Sequence, residues 1–67
     1  MNDGKEYKAW MLKEGIKEVD VAHYTRLSVK TIHWFLIGKP VGEATKANLL
    51  HFYQSWPTLR ARDRLVG

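Results

Sequence analysis

Cysteine is absent from the 67-residue chain, which excludes disulfides and every Cys–His set that holds structural zinc. No apolar run approaches the roughly 18 residues of a membrane-crossing helix, and no signal-peptide pattern is present. A soluble, intracellular protein is therefore expected. Proline is scarce, at Pro40 and Pro57 only, and no stretch alternates apolar and polar residues for long enough to predict a strand. His23, His33 and His51 lack metal-site spacing, so no metal or other cofactor is expected. No nucleophile, base and orienting group stand together, which argues against an enzyme and against a small-molecule ligand.

Acid is also missing, from one segment. Between Val21 and Gly42 the chain carries Arg26, Lys30 and Lys39 and neither Asp nor Glu. Residues 1–16 balance Lys5, Lys8 and Lys13 against Asp3, Glu6 and Glu14, and the C-terminus adds Arg60, Arg62 and Arg64 against Asp63. The net charge is +4 and the pI about 9.6. The excess is mild, but its placement in the middle and at the C-terminus suits a polyanionic partner.

What is present reads as helix. Asp3 is a good N-cap and Gly15 a good terminator, and between them Tyr7, Trp10 and Met11 follow helical spacing toward a core. Ile16 is expected to open a second helix of about two turns, with Val19, Val21, Ala22 and Thr25 available for packing. "TRLS" is a tight connection ending in Ser28, a strong N-cap for a third helix from Val29 to Ile37 that stops at Gly38. "GKPVG" is a loop. A fourth helix is predicted from Glu43 to Tyr53, with Ala47, Leu49 and Leu50 as its stripe. Ser55 and Pro57 suggest a short fifth, because proline favours a first turn. The fold class is all-α: a compact bundle of four to five short helices, with residues 1–56 as the domain and 57–67 as a basic tail expected to fray.

The run "WFLI" in the third helix needs sorting. At about 100° per residue, Val29, Ile32, Phe35 and Leu36 share one side, and Lys30, Trp34 and Ile37 the other, with His33 at the border. Phe35 and Leu36 are then core. Trp34 and Ile37 face outward, and an outward tryptophan one turn from a lysine suggests a contact surface.

Two short helices joined by a tight turn, the second capped by serine, form a helix-turn-helix pattern. "DVAHYTRLSVKTIHWFLIGKPVGEATKANLL" resembles the DNA-binding headpiece of the lactose-repressor family. The matching positions are Asp20, Val21, Ala22, Ser28, Thr31, Leu36, Gly38, Val41 and Thr45, with Leu27, Ile32 and Phe35 as close replacements. Pro57, Ala61 and Arg62 echo that family's hinge. The likeness covers residues 19–53 without a gap. Those repressors lack the preceding helix and carry a large ligand-binding domain. In its leading helix and its size the chain is similar instead to the Cro and repressor domains of phages. Both share the lambda-repressor-like core, and that superfamily is the expectation here. Arg26 stands where the turn has glycine, at about 1 kcal/mol if the left-handed geometry is kept.

The resemblance implies a sequence-specific transcriptional regulator: a repressor of a phage or mobile element, reading a double-stranded operator in the major groove as a homodimer on the nucleoid, in the cytoplasm. Val29, Lys30 and Trp34 fall at its base-reading positions. Lys17, Arg26, Ser28, Thr31, His33, Lys39, Thr45 and Lys46 fall where phosphate is met, and Arg60, Arg62 and Arg64 are candidates for tail contacts. Glu18 stands where phage repressors often carry a phosphate-binding glutamine. Ser28 and Thr45 serve equally as helix caps, and Trp34 as a dimer contact. The competing reading is a helix-turn-helix kept for protein–protein contact, such as an antirepressor or assembly factor. Its support is the outward Trp34 and Ile37 and the acidic Glu18.

Overall fold

The computed structural model describes the backbone of residues 3–66 and the side chains of residues 3–62. Four helices follow one another: α1 (Gly4–Glu14), α2 (Glu18–Thr25), α3 (Val29–Leu36) and α4 (Glu43–Val66). The all-α expectation holds, with four elements and not five. α2 packs on α3 and on α4, and α1 packs on α3. Among the described residues no helix is long and apolar enough to cross a membrane.

Local chemistry sets most of the boundaries. The Asp3 carboxylate accepts from the Lys5 amide at 2.9 Å and caps α1. Gly15, at φ 71°, ends it, and the amides of Gly15 and Ile16 turn back to the carbonyls of Leu12 and Met11. That double closure is a Schellman motif, and it draws Ile16 into the core as its apolar follower. Ile16 therefore finishes α1 and does not open α2. The second helix starts at Glu18, where the Asp20 carboxylate accepts from the Lys17 amide at 3.1 Å.

The core is built from Tyr7, Met11, Ile16, Val21, Ile32, Phe35, Leu36, Leu49 and Phe52. Burying each large side chain stabilises the fold by about 1.5–3 kcal/mol. Tyr7 spans the bundle: its hydroxyl donates to the Leu49 carbonyl at 2.7 Å, and burial pushes its phenol well above the usual tyrosine range. Gly4 lies so close to α3 that a Cβ there would overlap the backbone carbonyl of Phe35. Glycine is required there by this close approach. Val19, expected to pack, is exposed.

The fourth helix departs most from expectation. It runs 24 residues without a break, with Pro57 inside it. At 1.5 Å per residue its length is about 36 Å, which sets the 37 Å long axis of the molecule. Its inward stripe is Thr45, Leu49, Phe52, Trp56 and Leu59, whereas Ala47 is exposed and Leu50 half-buried. That stripe crosses the proline. Trp10 gathers the rings of Tyr53, Phe52 and Trp56 at centroid distances of 4.8, 6.0 and 6.4 Å. Beyond them, the Glu14 carboxylate accepts from Trp56 Nε1 at 2.9 Å and from Arg60 at 3.3 Å. An interior proline costs a helix about 3 kcal/mol. Trp56 before Pro57 and Leu59 after it pack against the core, and that burial offsets much of the cost.

Candidate nucleic-acid interface

Between α2 and α3 lie only Arg26, Leu27 and Ser28. Arg26 adopts φ 61°, and its amide returns to the Ala22 carbonyl at 2.8 Å. The turn therefore keeps the left-handed residue, with arginine in place of glycine. The link is locked from behind. Thr25 is buried with its hydroxyl on the Val21 carbonyl at 2.7 Å, and Asn48 of α4 donates to the Thr25 carbonyl at 2.9 Å. No buried side-chain polar atom among the described residues lacks a partner.

Ser28 opens α3: its hydroxyl accepts from the Thr31 amide at 3.1 Å and lies 2.8 Å from the Thr31 hydroxyl. Both hydroxyls thus serve the cap, the structural role weighed for Ser28 from sequence. Ile32, Phe35 and Leu36 turn inward, leaving Lys30, His33, Trp34 and Ile37 exposed. Val29 shares the inward side by angle, yet it lies at the helix start and is 40% exposed.

The exposed face is organised around one ring. Lys30 Nζ lies 5.0 Å from the centroid of Trp34 and Lys39 Nζ 5.8 Å. Lys30 is placed by helical spacing. Lys39 is placed by a second Schellman closure, in which Gly38 at φ 88° lets the Lys39 amide return to the Trp34 carbonyl at 2.9 Å. Each cation–π contact at such an exposed site stabilises by about 0.5–1 kcal/mol. The two ammonium groups are therefore held near the indole, on a face with no carboxylate of its own element. At its border, the carboxylate of Glu18 from α2 lies 3.2 Å from His33 Nδ1. That contact was not anticipated from sequence, since the two residues are fifteen apart and only the α2–α3 packing makes them neighbours.

The other candidates are spread more widely. Lys17 is exposed before α2, Thr45 is half-buried in the first turn of α4, and Lys46 pairs with Glu43 at 3.6 Å. Arg60 is engaged with Glu14, while Arg62 is exposed. The Arg64 side chain lies outside the described residues. The structure brings Lys30, Trp34 and Lys39 together and does not bring Arg60 to them. Among the described residues no cluster of three His, Asp or Glu side chains forms a metal site. Comparison with protein-family models, with curated proteins and with solved structures finds no match.

Proposed function

We propose that the protein binds double-stranded DNA in a sequence-specific way, with the exposed face of α3 in the major groove, and that it regulates transcription as a homodimeric repressor. The observation that carries this reading is the acid-free α3 face, where Lys30 and Lys39 are gathered on Trp34. A helix with its side chains is about 10–12 Å across, and the major groove about 12 Å wide. α3 is held by α1 and α2 from behind, so its outer face can enter without disturbing the core. Val29, Lys30 and Trp34 are then the base-reading side chains. Arg26, Lys39 and Lys46 meet phosphates, with Lys17, Thr45 and the spare hydrogen-bonding capacity of Ser28, Thr31 and His33 beside them. One module spans a short half-site, and a dimer on a near-palindrome supplies the second.

An electrophoretic shift assay on duplex DNA at low and moderate salt tests the reading. Binding that weakens steeply with salt is expected. Absence of a shifted band at low salt overturns it.

A second reading, a protein-contact module, is favoured by a different surface. Leu12 is 73% exposed beside a groove floored by Met11, Ile16 and Leu36 and rimmed by Lys8 and Glu18. That groove lies beside α1 and α3 and shares Lys17 and His33 with the edge of the proposed DNA surface, but not Lys30, Trp34 or Lys39.

A further inference from the structure

The residue types on α3 limit what it can read, given that it reads DNA as proposed above. Hydrogen-bond readout of bases relies on arginine or lysine for guanine, asparagine or glutamine for adenine, and carboxylates for cytosine. From Val29 to Leu36 the helix has no Arg, Asn, Gln, Asp or Glu. Thr31 is bonded to Ser28, and His33 to Glu18. Lys30 is left as the strong donor. On the same face the apolar side chains Trp34 and Ile37 are 37% and 50% exposed, and Val29, at the start of the helix, is 40% exposed, on a small domain that has every reason to bury them. In the major groove the apolar feature of a base pair is the thymine C5 methyl.

We propose that this face recognises thymine methyl groups through Trp34 and its apolar neighbours, with Lys30 on an adjoining guanine. The preferred duplex is then one whose thymines matter for their methyls more than for their hydrogen bonds. Trp34 also positions Lys30, since the ammonium rests on its ring.

The test begins with selection from a randomised duplex pool by the full chain. Each thymine of the enriched site is then replaced by uracil, which pairs identically and lacks only the methyl. A loss of about three- to fivefold per contacted methyl is expected, the scale of one buried methylene. 5-Methylcytosine at a neighbouring cytosine should be neutral or favourable. Trp34→Ala should bind more weakly and lose the thymine-over-uracil preference, while Trp34→Phe keeps part of it. Trp34 lies outside the core, so both variants should fold; Trp34→Ala gives up both cation–π contacts and should melt several degrees lower, and binding is compared at a temperature below both transitions. An enriched site whose uracil version binds the wild-type protein equally well overturns the methyl proposal and leaves DNA reading intact. Enrichment of no site, or no binding to any duplex, overturns the DNA reading and this proposal with it.

Discussion

Arg26 carries the turn in a conformation that suits glycine, at φ 61°. Its side chain is exposed and, among the described residues, makes no ion pair that would offset the strain. Arg26→Gly should therefore stabilise the free protein by up to about 1 kcal/mol, reduced somewhat by the added freedom of the unfolded chain. The same variant should bind DNA more weakly, because one cation leaves the turn. Denaturant melts and a binding titration read the two effects separately; a less stable Arg26→Gly protein would mean that the side chain has a partner of its own. Tyr7 makes a different prediction. Its buried phenol holds its proton more tightly than the unfolded chain does, whose tyrosines ionise near pH 10. This contribution is fully present below that pH and is lost above it, as the unfolded state releases its proton first. The expected slope approaches about 1.4 kcal/mol per pH unit. Tyr7→Phe should cost about 1 kcal/mol at neutral pH by losing the bond to Leu49 and should flatten the alkaline decline. Parallel alkaline curves for the two proteins would assign that decline to other groups.

At the scale of elements, caps were legible because their chemistry is local. Asp3, Gly15, Ser28 and Gly38 each fix a helix end through atoms within a few residues. The inward face of α3 was legible too, since three of its four expected members are buried. The exception, Val29, is 40% exposed: angular position alone is a weaker guide in the first turn of a helix, at the edge of the packed face. α4 was misread because Pro57 and Ser55 are genuine start signals by local rules. What overrides them is tertiary: Trp10 and Glu14, more than forty residues away, hold Trp56 and Arg60. Periodicity did contain the answer, since residues 45, 49, 52, 56 and 59 form an uninterrupted inward stripe. Glu14 is then the clasp of the distal helix. Glu14→Ala leaves a half-buried indole N–H without its acceptor and should cost about 1–2 kcal/mol; the solvent-exposed Arg60 pairing contributes little to that. Hydrogen exchange should show amides after Pro57 losing protection first. If they exchange as in the wild type, aromatic packing alone holds the helix.

For the whole molecule, the relevant quantity is how charge is sorted between surfaces. Glu14 is occupied by Arg60, Glu43 by Lys46 and Glu18 by His33, while Lys30 and Lys39 rest on an aromatic ring. None of this was legible from net charge. The acid-free segment does coincide with the face on which Lys30 and Lys39 gather, and Lys39 comes to it only through the αL turn at Gly38. Lys39→Ala should weaken binding to all duplexes alike and reduce the slope of log K against log salt by about one ion equivalent. Arg60→Ala should leave that slope unchanged while Glu14 holds the arginine. A smaller slope for Arg60→Ala would place the C-terminal half of α4 at the DNA as well.

Amide chemical-shift mapping on the labelled full chain, titrated with duplex DNA at low salt, shows both whether DNA binds and where. The largest shifts should fall on residues 26–39, centred on Lys30 and the Trp34 indole, with Leu12 and Ile16 unmoved. Shifts confined to the groove between α1 and α3, or no shifts at any DNA concentration, would contradict major-groove reading by α3.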